Sequence, residues 1–174
     1  GTPINTYESM LGTDTPVIRA MPNTPAAIGK GITAISANSH VSEDQLQVAD
    51  QLLKAIGQTV RCEAEAQLDA VTGVSGSGPA YVFYMIDALA AAGQAQGLSS
   101  DMAMQLAKAT VAGAGALAEV SDETPEQLRV NVTSPNGTTQ AGLEVLMNDG
   151  SGLGPLMENT VAAAADRSRE LANG

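Results

Sequence analysis

The chain has 174 residues, of which 44% are apolar, so it can bury one sizeable core or two small ones. Its formal net charge of −11 disfavours contact with nucleic-acid phosphates and anionic membranes, and we expect neither as a partner. The sequence has no apolar run near the roughly 18 residues of a membrane span, no signal-peptide pattern and a single cysteine, which together predict a cytoplasmic protein.

The first 62 residues are predicted to be mixed α/β. A helix near the middle of this region begins at a capping box of Ser42 and Gln45. We expect it to end at Gly57, because glycine is the usual left-handed stop residue. The order of strand, strand, helix and strand is typical of the far edge of a doubly wound sheet. The predicted elements are a helix over 5–11, strands over 17–21 and 31–37, the helix over 42–56, and a strand over 59–62.

From Glu63 onward the sequence is predicted to be entirely helical. Alanine and glycine are abundant, and the aromatic residues are one phenylalanine and three tyrosines, so we expect closely packed helix backbones. Pro79 is a typical first-turn residue, and Ser99 is predicted to cap the following helix. The predicted helices cover residues 66–74, 79–96, 99–120, 125–132, 138–148 and 155–172.

Several residues that often carry chemistry have simpler interpretations here. The glycine-rich run Gly73–Gly78 follows no strand, so we interpret it as close backbone packing before a helix rather than as a phosphate-binding loop. His40 is the only histidine and lies in a polar segment without a second ligand, so no metal site is predicted. Cys62, at a strand end, is interpreted as a small buried apolar residue.

A first candidate site follows the strand predicted over 17–21. Pro22-Asn23-Thr24-Pro25 places an amide and a hydroxyl between two stiffening prolines. In open α/β sheets, ligands bind beyond the carboxyl ends of strands. A ligand-binding loop and a structural turn remain equally open from this spacing.

A second candidate site lies at residues 131–139, directly before a predicted helix. Its hydroxyls and its glycine precede a helix N-terminus, where free backbone N–H groups and the helix dipole attract a carboxylate or phosphate. The alternative is an elaborate N-cap in which Thr138 or Ser134 only satisfies the helix. The polar and glycine positions outnumber what a cap requires.

These segments resemble those of pyrroline-5-carboxylate reductases, in the family's order and spacing. The resemblance extends over nearly the whole chain. One departure is Asn136, where many relatives carry glycine; asparagine tolerates left-handed backbone angles, so we expect the loop shape to persist. The matching segments are LRVNVTSPNGTTQAGLEVLMND at 128–149, which is highly specific, VIRAMPNTP at 17–25, and LDAVTGVSGSGPAYVF at 68–83.

The resemblance implies a mostly α fold. Residues 1–62 would be the C-terminal remnant of a Rossmann NAD(P)-binding domain, and residues 63–174 an all-helical domain for dimerisation and substrate binding. The chain opens without an initiator methionine and contains no glycine fingerprint after a strand. We therefore expect a piece of a longer protein, with little or no activity by itself.

The implied reaction is reduction of 1-pyrroline-5-carboxylate to L-proline, with NADP or NAD as cofactor. By resemblance, Ser134, Gly137 and Thr138 would bind the substrate carboxylate, largely by backbone N–H groups. Thr139 would be the catalytic residue, with its hydroxyl facing the ring nitrogen. Asp122 or Glu123 would contact the substrate amine.

The resemblance also assigns the nicotinamide contacts. Asn131 matches an asparagine that touches the cofactor, and a homodimer or a higher homo-oligomer is expected through the helical domain. The residues that would flank the nicotinamide are Met21, Pro22 and Asn23.

Two other functions are compatible with parts of this sequence pattern. A dehydrogenase of the β-hydroxyacid or 6-phosphogluconate type would need a catalytic lysine, but Lys108, the only lysine in the helical region, lacks the flanking glycine and asparagine pattern. The second is a helical oligomerisation module without activity of its own, which small-residue helices such as 103–118 would suit.

Overall fold

The computed structural model describes residues 1–173, with the backbone alone at position 173. Two compact units are present: Gly1–Pro79 with the residues from Glu158 on, called here the first unit, and Ala80–Met157, the second unit. The predicted division after residue 62 concerns the domains of the family and stays a prediction. The elements in chain order are α1 (Ile4–Leu11), β1 (Ile18–Met21), a 3₁₀ turn (Thr24–Ile28), β2 (Gly31–Ala37), α2 (Glu43–Lys54), β3 (Gly57–Arg61), α3 (Gln67–Val71), a π-helical turn (Thr72–Gly76), α4 (Gly78–Ala95), α5 (Ser100–Val120), α6 (Pro125–Asn131), α7 (Thr138–Leu146) and α8 (Leu153–Asn173).

The first unit contains a three-stranded sheet in the order β1-β2-β3. β1 runs antiparallel to β2, with Ile18 opposite Ala37, whereas β2 and β3 are parallel. The central strand β2 is the most buried, and Ile35 is 1% exposed. The short connection through the 3₁₀ turn makes β2 antiparallel to β1, whereas β3 is parallel to β2. The three predicted strands therefore form a mixed sheet.

The capping box predicted for α2 is present. The Ser42 hydroxyl accepts from the Gln45 N–H, and the Gln45 side chain accepts from the Ser42 N–H. The predicted end is wrong, because α2 stops at Lys54 and Gly57 is the first residue of β3. A Cβ on Gly57 would lie 2.0 Å from the Gly31 carbonyl oxygen, so this glycine serves close strand pairing rather than a helix stop.

The glycine-rich run forms a widened helical turn rather than the end of a regular helix. The Ser77 N–H donates to the Thr72 carbonyl at 2.8 Å, which is the π-helical spacing. Gly73 is buried, and a Cβ there would lie 2.8 Å from the Val161 carbonyl oxygen of α8. The predicted close backbone packing is therefore confirmed at Gly73.

The second unit is helical, and alanines form its core. Ala90 of α4 is buried together with Ala103 and Ala107 of α5, as expected from the small-residue composition. Ser99 caps α5 as predicted, accepting from the Met102 N–H. Within residues 1–173, no helix is both long and apolar enough to cross a bilayer.

Many long apolar side chains of the second unit are exposed to solvent. Three examples, each at least half exposed, are Phe83 of α4 and Leu106 and Leu117 of α5. A helical unit whose core consists of alanines leaves its larger apolar groups on the surface, and apolar area of this kind marks an interaction surface.

Candidate functional site

The predicted site residues fall into two groups, each within one unit. Met21 is the last residue of β1 and Pro22 and Asn23 follow it in the first unit, whereas Glu123, Asn131 and the loop at 134–139 belong to the second.

The loop before α7 leaves the N-terminus of that helix uncapped. Gly137 is the N-cap residue, with φ −85° and ψ 174°, and no side chain caps the helix. Asn136 adopts a left-handed backbone with φ 59°, so the loop has the shape expected for a position that glycine can fill. The Gly137 N–H donates to the Ser134 carbonyl at 3.0 Å, which closes the turn.

Three successive N–H groups are available at this helix start. Within the described residues, the backbone N–H groups of Thr138, Thr139 and Gln140 donate no hydrogen bond, and the hydroxyls of Ser134, Thr138 and Thr139 make none. The side chains of the serine and both threonines are exposed. An uncapped helix start with free donors is suited to an anion, and the simple N-cap interpretation has no supporting hydrogen bond.

Glu123 and Asn131 are joined directly. The Asn131 amide donates to Glu123 Oε2 at 2.8 Å, and the Gln127 amide donates to Asn131 Oδ1 at 2.7 Å. The predicted substrate contact and the predicted cofactor contact therefore form one chain of hydrogen bonds. Gln127 was not predicted, although its spacing of four from Asn131 places the two on one face of α6, while Glu123 lies just before that helix.

The Thr124 hydroxyl fixes the start of α6 beside this chain. It accepts from the Gln127 N–H at 3.2 Å, and Pro125 occupies the first helical position. The Glu123 N–H donates to the Ser121 hydroxyl at 3.1 Å. Of the two acidic candidates, it is Glu123 that enters the hydrogen-bond chain.

In the first unit, Asn23 is held at both ends of its carboxamide. Its Oδ1 accepts from the Ile32 N–H at 2.9 Å, and its Nδ2 donates to the Ser75 carbonyl at 3.1 Å. Met21 pairs with Ala34 in the sheet, and Pro22 is exposed at the end of β1. The partners of Asn23, which lie 9 and 52 residues away, left no local signal in the sequence.

The perturbed ionisable groups lie outside the predicted site residues. Lys54 and Thr59 donate hydrogen bonds to Asp50 and lower the pKa of its carboxyl, and Arg61 does the same for the pKa of Glu43. Burial raises the pKa of the half-buried Cys62 thiol. Among residues 1–173, no group of three or more His, Cys, Asp and Glu side chains is placed to hold a metal ion.

The chain matches known proteins over most of its length. A family profile described as pyrroline-5-carboxylate reductase dimerisation matches residues 65–171. The pyrroline-5-carboxylate reductases of Pseudomonas aeruginosa and Glycine max are 45% and 44% identical over 99% and 98% of this chain. The chain spans 62% and 61% of the length of those two relatives.

Two solved structures share the fold. A pyrroline-5-carboxylate reductase from Coxiella burnetii superposes with a TM-score of 0.94 at 36% identity, over 99% of this chain and 63% of that one. The Plasmodium falciparum pyrroline carboxylate reductase with NADP bound gives a TM-score of 0.85 at 30% identity, over 98% of this chain and 68% of that one. The predicted fold class and the family resemblance are both confirmed.

Proposed function

The chain belongs to the pyrroline-5-carboxylate reductase dimerisation family, and from this premise we propose that the whole protein reduces 1-pyrroline-5-carboxylate to L-proline with NADPH or NADH. The observation that carries the proposal is the uncapped start of α7, with three free N–H groups beside three free hydroxyls within the described residues. This set of donors suits a small anionic substrate. The relatives of the chain are named as reductases of pyrroline-5-carboxylate, which carries such a carboxylate.

The substrate carboxylate binds at the start of α7. The N–H groups of Thr138 and Thr139 point out of the first helical turn, where the helix dipole adds positive potential. Gly137 is tightly placed, because a Cβ there would lie 3.0 Å from the Ser134 carbonyl oxygen. A side chain at position 137 would therefore disturb the turn that presents these donors.

Thr139 orients the ring. Its hydroxyl has no partner among the described residues, so it is available to the ring nitrogen of a substrate whose carboxylate binds the same helix turn. A hydroxyl is a weak acid, so its role is to align the imine and to relay a proton from water. Precise placement of the imine is the main contribution of the protein to this reaction.

Glu123 accepts a hydrogen bond from the ring N–H of the protonated imine, and Asn131 contacts the nicotinamide. The Asn131 amide donates to the Glu123 side chain and so orients the Glu123 carboxylate. The Gln127 side chain donates to Asn131 Oδ1 and holds the Asn131 amide in place. The Asn131 side chain therefore connects the substrate contact at Glu123 with the cofactor contact.

The residues after β1 fit the nicotinamide end of a dinucleotide. Pro22 is exposed there, and the Met21 side chain packs against Gly76, where an added Cβ would lie 2.6 Å from Met21 Cε. The sequence contains no glycine fingerprint after a strand, and in this proposal these residues hold the nicotinamide end of the cofactor. The bound cofactor supplies the hydride; the residues of this chain bind, orient and shield the substrate.

The helical second unit forms a homodimer or a higher homo-oligomer in this proposal. Its exposed apolar side chains, among them Phe83 and Leu106, provide the surface, and the matching family is named for dimerisation. The cytoplasm is the proposed compartment, since the single Cys62 thiol requires no oxidising environment.

The direct test is an assay of the whole protein with 1-pyrroline-5-carboxylate and each nicotinamide cofactor. We expect proline formation coupled one-to-one to cofactor oxidation. A protein that dimerises but neither oxidises the cofactor nor binds NADPH in a titration would instead support the helical oligomerisation module, and the proposed function would then be wrong.

A further inference from the structure

A proline leaves one carbonyl of the π-helical turn without its helical donor. In a regular helix, the Ser75 carbonyl would accept from the N–H of residue 79. Residue 79 is proline, which has no N–H and whose ring crowds the carbonyl four residues before it. The helix widens at this place, over Thr72–Gly76.

Asn23 supplies the missing donor from another element. Its Nδ2 donates to the Ser75 carbonyl at 3.1 Å. Its Oδ1 accepts from the Ile32 N–H at 2.9 Å, at the start of β2. The carboxamide is half-buried and therefore ties the end of β1 to both β2 and the π-helical turn.

The same turn sets the place of Met21. Gly76, the last residue of the turn, lies so close to Met21 that an added Cβ would be 2.6 Å from the methionine methyl group. A shift of the turn would therefore move the Met21 side chain and the exposed Pro22 that follows it. These two side chains are the ones that flank the nicotinamide in the proposed function.

We propose that Asn23 is a positioning residue, which acts on hydride transfer by pinning the π-helical turn through the Ser75 carbonyl and so placing Met21 and Pro22 against the nicotinamide. This inference rests on the proposed function and changes one part of it. The resemblance placed Asn23 itself beside the nicotinamide, whereas both ends of its carboxamide are engaged by Ile32 and Ser75.

The test is a double-mutant cycle in the whole protein with Asn23→Ala and Pro79→Ala. Alanine at position 79 restores an N–H that can donate to the Ser75 carbonyl in place of the Asn23 amide. We expect Asn23→Ala to lower kcat by about tenfold, to raise the primary deuterium isotope effect from 4-deuterated cofactor, and to leave the KM of the imino acid within about twofold. Adding Pro79→Ala should recover about fivefold of the lost kcat relative to Asn23→Ala alone.

Additive losses in the double variant, with no recovery, would overturn the proposal, because they would mean that Asn23 acts on the cofactor directly. If Asn23→Ala does not fold, Asn23→Asp takes its place in the cycle, since it keeps the acceptor for the Ile32 N–H and loses the donor to Ser75. An inactive wild-type protein would reject the proposed function, and the positioning role with it, whereas an active wild type with an additive cycle would reject the positioning role alone.

Discussion

At the scale of single residues, Thr139 carries the most specific chemical expectation. It is the second residue of α7, and its hydroxyl has no partner within the described residues. The N–H and the hydroxyl of Thr139 can therefore form hydrogen bonds with two atoms of one small ligand. Removing only the hydroxyl separates these two contributions, because the backbone donor remains.

We expect Thr139→Val in the whole protein to lower kcat by about tenfold or more, since a hydrogen bond to the reacting nitrogen is lost. The KM of the imino acid should change much less, because the helix-start N–H groups still bind the carboxylate. Thr138→Val is the matched comparison and should lower kcat less, as Thr138 acts mainly through its N–H. Steady-state kinetics with an unchanged kcat for Thr139→Val would remove this hydroxyl from the mechanism.

The local geometry of the candidate site was predictable where the sequence signal is local, whereas the roles of its residues stay predictions. The order of hydroxyls and glycine at 134–139 precedes a helix, and the structure leaves that helix start free of a cap. The left-handed backbone at Asn136 also follows from residue type. The link from Gln127 through Asn131 to Glu123 was not predicted, because Glu123 lies outside α6 and the orientation of its side chain depends on the folded partners.

At the scale of elements, Gly73 controls how the π-helical turn packs on α8. A Cβ at this position would meet the Val161 carbonyl at 2.8 Å and the Val161 Cγ1 at 3.2 Å. Both atoms belong to a helix whose backbone cannot move aside without disturbing its other contacts. The glycine is therefore required for close approach rather than for an unusual backbone angle.

Gly73→Ala should destabilise the fold by about 1–3 kcal/mol, the usual cost of overpacking. Urea unfolding followed by circular dichroism would measure the change. Gly78→Ala is the matched control, because nothing lies within 4 Å of its added Cβ in α4; helix propensity predicts that it is neutral or stabilising by up to about 1 kcal/mol. Equal destabilisation by the two variants would contradict the packing role of Gly73.

The starts of helices with a capping residue were predictable from the sequence. The capping box at Ser42 and the N-cap at Ser99 predicted the helix starts correctly, because the capping hydrogen bonds join residues three apart. The end of α2 was predicted wrongly, since Gly57 is required by the approach of Gly31 in the neighbouring strand. The π-helical turn escaped prediction because its free carbonyl is satisfied by Asn23, 52 residues earlier in the chain.

At the scale of the whole molecule, the composition of the second unit predicts self-association. Alanines occupy its core, while Leu106 and Leu117 of α5 are each 52% exposed. Burying such side chains between protomers contributes about 25 cal/mol for each Å² of apolar area removed from water. An isolated protomer would leave that area hydrated.

We therefore expect Leu106→Glu to convert the whole protein to a smaller oligomer or a monomer, because a buried, unpaired carboxylate is strongly unfavourable. Analytical ultracentrifugation would detect the change in mass. Gln51→Glu adds the same charge on an exposed position of α2 and should leave the mass unchanged. An unaltered mass for Leu106→Glu would place the interface elsewhere.

The start of α7 as a carboxylate site is tested most directly by crystals of the whole protein soaked with L-proline and, separately, with pyrrolidine, which has the ring but lacks the carboxylate. We predict density for proline with its carboxylate within hydrogen-bond distance of the Thr138 and Thr139 N–H groups, and none for pyrrolidine at that position. Proline bound elsewhere while these N–H groups stay free, or pyrrolidine bound there equally well, would contradict the account.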